Sequence, residues 1–237
     1  MKALKKSLFT LLGLMGLVAL MCSIAASCVT NANLIYQGFI NYGSTAHLNF
    51  PGEYYDEAAQ GVALYMDGQK DEILHPDGSG ASLFSENEML HLRDVQGIVS
   101  LLKIIRWVGG LAAVGGIGIA WFLGKKKGQT SILHEIWQGF AWASGVLMAV
   151  AIGICIWGFV DFESLFLQFH LVSFTNDLWL MDPLRDLMIA LMPESFFMWY
   201  AGELLKSLLP VIGIMLCLVI AWLKVGRKEM KGAKEEK

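Results

Sequence analysis

Two histidines with carboxylates close by in the chain carry the chemistry that this sequence offers. His91 and Asp94 lie in SENEMLHLRDV, and His170 precedes Asp182 and Asp186 in FHLVSFTNDLWLMDPLRDLM. An imidazole accepts and returns a proton near neutral pH, so one such ring can take the proton of an attacking amine and hand it to a departing alkoxide. Acyl transfer from an ester to an amine needs those two steps in that order. A carboxylate beside the ring orients it and stabilises its charged form. Asp94 shares a helix face with His91, and Asp182 is a second candidate. A cation stabilises a developing oxyanion, and Lys103 and Arg106 follow His91 on the same stretch.

Each of these residues also has an ordinary reading. An outward histidine is commonly a satisfied surface residue, Asp182 before Pro183 is a helix cap and first-turn pair, and Lys103 and Arg106 can reach to lipid headgroups. Trp179 and Trp199 suit interfacial anchors. His47 and His75 sit in turn-like surroundings and His134 on the opposite side of the bilayer, so none is assigned a function. No Gly-x-Ser-x-Gly elbow is present, which argues against a covalent serine hydrolase. No His-Glu-x-x-His spacing is present either, so no metal site is expected.

The elements that must position these groups follow from hydropathy. Of 237 residues, 55% are hydrophobic and 16% charged, with mean hydropathy +0.53, which is too apolar for an ordinary soluble domain. Four apolar runs reach the roughly 20 residues that cross a hydrocarbon core. The expected division is a first span within 1–29, an extracytoplasmic segment 30–96, a second span 97–123, a cytoplasmic loop 124–135 and a third span 136–160. An extracytoplasmic interfacial loop 161–203, a fourth span 204–223 and a tail 224–237 complete it. The fold class expected is mainly α, a four-helix polytopic membrane protein with a small extracytoplasmic α/β-type cap and an interfacial helical loop.

Basic residues set the orientation. Lys2, Lys5 and Lys6, then Lys125, Lys126 and Lys127, then Lys224, Arg227, Lys228, Lys231 and Lys234 form three clusters, which the positive-inside rule puts in the cytoplasm with both termini. The loops between them are acidic: ten acids from Glu53 to Asp94 meet only Lys70 and Arg93 before Val95. The histidines then lie on the outer face of a plasma membrane. A net charge of −3 and no basic outer face argue against a nucleic-acid partner. MKALKK, a long apolar run and AASC resemble a secretory signal with Cys28 as a lipidated residue, but the run is longer than a cleaved signal's apolar region, so an uncleaved signal-anchor is expected. Cys22, Cys28, Cys155 and Cys217 show no paired spacing and read as small apolar fillers.

Within the first outer segment, EYYDEAAQGVALYM reads as a short helix and EILHPDGSGASLF as a hairpin around Pro-Asp-Gly. Ser85 and Glu88 have capping-box spacing and start a helix that carries His91 toward the second span. At 1.5 Å per residue the run 97–123 would be about 40 Å long, more than the roughly 30 Å core, so a bend is expected at Gly97 to return His91 to the membrane surface. In the second outer loop, Phe162, Leu165, Phe166, Phe169 and Val172 recur at helical spacing, which suggests a helix lying in the interface with His170 beside its stripe. Asp182-Pro183 opens a second short helix that Pro193 closes or restarts.

Two motifs in order resemble the bacterial lipoprotein intramolecular transacylase (Lit) family of integral membrane proteins. One is Glu88 three residues before His91 in HLRDV. The other is His170, Trp179, Asp182, Pro183 and Asp186 followed by Pro193, Glu194, Phe196 and Phe197. Leu92 stands where Met is at least as common. The resemblance covers most of the chain and implies transfer of the sn-2 acyl chain of a diacylglyceryl-modified cysteine to the α-amino group of the same cysteine, leaving a lyso-form lipoprotein. It implies diacylated lipoproteins and membrane lipids as partners, and no cofactor. His91, His170, Asp94 and Asp182 are then the catalytic candidates, with the base left open between the two histidines. Lys103, Arg106, Trp179, Asp186 and Glu194 are the substrate-binding or oxyanion candidates. The alternatives are a lipoprotein-binding accessory or sensor without catalysis, and an interfacial ester hydrolase.

Overall fold

The computed structural model describes residues 2–124 and 129–235; the Lys125–Lys127 cluster lies outside the described residues, as do the side chains of the other basic residues at the two ends except Lys224. Eight α-helices occur among the described residues: α1 (Lys2–Val29), α2 (Ala32–Tyr42), α3 (Tyr55–Asp67), α4 (Glu86–Gly124), α5 (Gln129–Val160), α6 (Phe162–Ser173), α7 (Leu187–Leu191) and α8 (Glu194–Glu235). Four contain stretches long and apolar enough to cross a membrane: Ser7–Val29, Glu86–Ile119, His134–Val160 and Glu194–Lys224. The chain divides into two compact units.

The first unit comprises Met1–Ser23, Ile104–Ile156 and Leu208–Lys237. Its helices approach through small residues, as apolar helices do where no water drives them together. A Cβ on Gly139 of α5 would lie 2.5 Å from the Phe9 carbonyl carbon of α1, and one on Gly13 of α1 would lie 3.1 Å from Phe140 Cα of α5. At Gly139 only glycine permits that approach, and at Gly13 a side chain would press on α5. Trp142 of α5 and Trp222 of α8 pack with ring centroids 5.1 Å apart.

The second unit comprises Ile24–Lys103 and Trp157–Ser207. Its core joins Ile35 and Phe39 of α2, Ala59, Val62 and Met66 of α3, Leu92 and Val99 of α4, Met188 and Leu191 of α7 and Phe196 of α8, with Ile73, Leu83 and Phe84 from the connection before α4. The helix α2 has no counterpart in the expected pattern. Its start is local: Asn31 Oδ1 accepts the Leu34 N–H at 3.1 Å, a standard N-cap.

The α/β-type cap is a correction. Among the described residues there is no strand, and the expected hairpin closes through one isolated antiparallel bridge, Leu74 with Ser82. Two backbone bonds flank it, His75 N–H to Ala81 O and Leu83 N–H to Ile73 O. Residues 76–80 are consumed by a turn with Gly78 and Gly80 at positive φ, and its polar side chains bond to its own backbone. Ile73, Leu83 and Phe84 then bury against helices rather than a second pair of strands, and a lone hairpin that short does not sustain a ladder. Gly97, where a bend is expected, lies inside a continuous helix, α4 running from Glu86 to Gly124. Likewise α8 begins at Glu194, ten residues ahead of the expected span, and continues through Pro210.

Candidate active site

His91 is held by the first turns of α4. Ser85 and Glu88 form the capping box that their spacing predicts, Ser85 N–H donating to Glu88 Oε2 at 2.7 Å and Glu88 N–H to Ser85 Oγ at 3.4 Å. Glu88 is itself buried, and its Oε1 accepts the backbone N–H of Met188 at 2.6 Å. One carboxylate therefore starts α4 and ties it to α7. Three residues on, His91 is 7% exposed and its Nδ1 is buried without a hydrogen-bond partner.

His170 comes from α6, whose N-terminus is capped by Asp161 through Ser164 N–H. It is also 7% exposed. Its Nδ1 lies 2.7 Å from the Phe166 carbonyl oxygen; a carbonyl only accepts, so the proton sits on Nδ1 and Nε2 keeps its lone pair. Burial lowers the pKa of this ring below the ordinary histidine value, against a smaller upward effect of the Phe166 hydrogen bond. His170 is thus neutral at pH 7 with Nε2 as its basic atom.

The two imidazoles meet. Their centroids are 6.2 Å apart with planes 23° from parallel, and aromatic rings enclose them. Phe166 lies 4.3 Å and Trp179 5.0 Å from His170, while Phe174 stands edge-on to His91 at 4.9 Å. The pair therefore sits in an apolar, ring-walled setting, which suits a neutral base and an acylated substrate alike.

The remaining candidates separate. Asp94, one turn beyond His91, accepts a hydrogen bond from Asn176 Nδ2 at 2.8 Å, so the loop after α6 is pinned to α4 beside the histidines. Asp182 does not cap a helix. Its carbonyl closes a turn to Arg185 and Asp186, its Oδ1 accepts the Leu184 N–H, and its Oδ2 lies 3.6 Å from Arg185 Nε. The N-cap position belongs to Asp186, whose side chain turns back to accept the Asp182 N–H. With Pro183 supplying no N–H, the turn's donors converge on these two carboxylates, and α7 starts only at Leu187. No hydrogen bond joins Asp182 to either histidine among the described residues. Glu194 is exposed in the first turn of α8, where a negative charge favours the helix N-terminus.

Lys103 is engaged at the end of α3. Its Nζ donates to the Asp67 carbonyl at 2.8 Å and to Asp67 Oδ1 at 2.6 Å. Gln96, seven residues earlier on α4, donates to the Tyr65 carbonyl. Lys103 thereby takes a terminal carbonyl of α3, and Gln96 adds a second bond to the Tyr65 carbonyl, which already accepts the Gly68 N–H. Arg106 belongs to the other unit. Among the described residues, no group of three or more His, Cys, Asp or Glu side chains is placed to hold a metal ion.

A model of the family described as lipoprotein intramolecular transacylase Lit matches residues 9–197. The chain belongs to this family. Its activity is that of a lipoprotein intramolecular transacylase, an acyltransferase. The solved structure of the membrane-integral transacylase Lit from Bacillus cereus aligns with a TM-score of 0.65 at 21% identity over 98% of each chain. Two variants of that protein, with a histidine replaced by arginine or by alanine, align with TM-scores of 0.61 and 0.62 at 23% identity. They cover 97% and 96% of this chain and 95% and 96% of their own. None of the curated proteins compared matches the chain.

The candidate site also contains groups that sequence reasoning did not assign. Phe174 and the Phe166 carbonyl have no sequence signal beyond helical spacing, since a ring contact and a backbone acceptor become visible only when α6 is placed. Asn176 has a weak signal: its side chain accepts Leu178 N–H in a local turn, a habit of Asn in loops, while its bond to Asp94 spans distant sequence. Glu88 is legible as a cap but not as the partner of Met188.

Proposed function

We propose that His170 is the proton carrier of an O-to-N transfer in which the sn-2 acyl chain of a diacylglyceryl-cysteine moves to the α-amino group of that cysteine. The observation that carries this reading is the Nδ1 bond to Phe166, which leaves Nε2 as a fixed, neutral base next to His91. The amine nitrogen attacks the ester carbonyl and His170 Nε2 takes a proton from that nitrogen. The carbon–oxygen bond to glycerol then breaks as the same proton passes to the glyceryl oxygen. An amide and a free glyceryl hydroxyl result, with no water consumed. Amine and ester belong to one molecule, so holding them in register supplies much of the rate.

His91 completes the site by stacking beside His170, and Asp94 with Asn176 holds the loop that walls it. The aromatic enclosure favours the lipid portion of the substrate and excludes water that would divert the acyl group to free fatty acid. The acidic segments that carry the pair, alternating with basic clusters along the chain, support an extracytoplasmic site in a bacterial plasma membrane with both termini inside.

The test is replacement of His170 and His91, each by Gln, in a host that lacks the activity, with the lipoprotein N-terminus read by mass spectrometry. The expected result is retention of the diacyl form in both variants at parent-level membrane abundance. Full conversion to the lyso-form by the His170→Gln protein would overturn the assignment.

A further inference from the structure

Arg106 falls in the first unit. On α4, Arg106, Trp107, Gly110, Leu111 and Val114, with Ser23 of α1, line an open groove of about 440 Å³, within the roughly 300–1,000 Å³ typical of ligand sites. Arg106 is the only charged residue of α4 beyond Lys103. Its Nε is buried without a hydrogen-bond partner, and no acid pairs with it among the described residues. Its guanidinium lies 5.1 Å from the centroid of the Trp107 ring. The rest of the wall is apolar and open, with Trp107, Leu111 and Val114 at 63%, 70% and 73% exposure.

A cation in a membrane-spanning stretch is costly unless it meets a counter-charge, and a guanidinium is shaped for two-point contact with a phosphate. A free phosphate would answer the charge and leave the apolar wall uncovered. A phospholipid answers both. The adjacent glycines show that the groove is open by construction: a Cβ on Gly109 would lie 3.0 Å from the Met15 carbonyl oxygen of α1, so Gly109 seats the two helices, whereas a Cβ on Gly110 meets nothing within 4 Å.

We infer that this groove binds an anionic phospholipid, with the phosphodiester on Arg106 and an acyl chain along Trp107, Leu111 and Val114 over Gly110. The acyl donor, a diacylglyceryl thioether, has no phosphate, so this lipid is a second ligand.

The experiment uses the full chain in neutral detergent, with thermal unfolding followed as dioleoyl phosphatidylglycerol, dioleoyl phosphatidylcholine or inorganic phosphate is added, and lipid retention read by native mass spectrometry. The parent protein should gain several degrees in Tm with phosphatidylglycerol only, and retain one molecule of it. Arg106→Gln, which removes the charge, and Gly110→Leu, which fills the groove without meeting α1, should each lose at least half of that gain and the retained lipid. Arg106→Lys should keep part of both and serves as the folding control. An equal gain in Arg106→Gln and parent, equal retention of phosphatidylcholine, or a gain with inorganic phosphate alone overturns the inference.

Discussion

Glu88 and Met188 are joined inside the core, the carboxylate Oε1 accepting the Met188 N–H at 2.6 Å while its Oε2 accepts Ser85 N–H. Two backbone donors, that of Met188 buried and that of Ser85 partly buried, thus depend on one side chain three residues from His91. Glu88→Gln keeps the shape but turns an N–H donor toward one of the two N–H groups. An unsatisfied buried donor costs about 1–3 kcal/mol, so the variant should unfold several degrees below the parent in detergent. Its kcat should fall about tenfold with the pH profile unchanged, because Glu88 positions the site without carrying its proton. An unaltered Tm with full activity would show that the bridge contributes nothing.

The pH dependence follows from His170. Its lowered pKa keeps the base form available at pH 7 and loses it only as pH falls through a value below the ordinary 6.5. The substrate amine titrates at about 7.7–8.0. With purified enzyme and a synthetic diacylated lipopeptide, log rate should rise with a slope of about one between roughly pH 6.5 and 7.5, where only the amine titrates. The slope should approach two only below the ordinary histidine pKa. A break to the steeper slope at or above pH 6.5 would mean that the ring is not held neutral.

Lys103 separates scaffold from chemistry. Lys103→Met removes the charge that closes the end of α3 and leaves the Asp67 carboxylate without that partner, a loss of about 1–2 kcal/mol for a partly exposed pair. The expected outcome is a lower Tm with kcat within about threefold of the parent. A role at the oxyanion would instead cost about a hundredfold or more in kcat, which steady-state rates at a temperature well below the transition would reveal.

Asp94 and Asn176 form a cross-element pair suited to a double-mutant cycle. Asn176→Ala should reduce activity several-fold by loosening the loop that leads to Trp179, and Asp94→Ala should do the same. The double variant should be little worse than either single one, since both remove a single contact. Strictly multiplicative losses, measured as kcat/KM, would indicate that Asp94 acts on the histidine independently of Asn176.

The legible part of this fold is the part governed by local rules. Four apolar helices, the α3 helix near 53–66, the Ser85–Glu88 box and the helical spacing of α6 were all readable, because capping and periodicity concern residues within a turn or two of each other. Where long-range packing competes with local pattern, the reading failed. Pro-Asp-Gly between apolar residues is a sound hairpin signal, yet Ile73, Leu83 and Phe84 find helices to bury against and the ladder stops at one bridge. Asp182-Pro183 has the composition of a helix start, but Asp186 has the better-placed carboxylate for the turn that actually forms.

By itself, the amino-acid sequence determined the class of protein and its family, and it singled out two histidines as candidates. Hydropathy, charge asymmetry and motif order are properties of the chain that survive any placement of its helices. Only the tertiary structure decided what surrounds those histidines. That the two rings stack, that a backbone carbonyl of α6 sets the tautomer of His170, that Lys103 closes α3, and that α6 brings His170 to His91 all depend on how the helices are placed. Such contacts arise from filling a shared core, and no spacing rule along the chain encodes them.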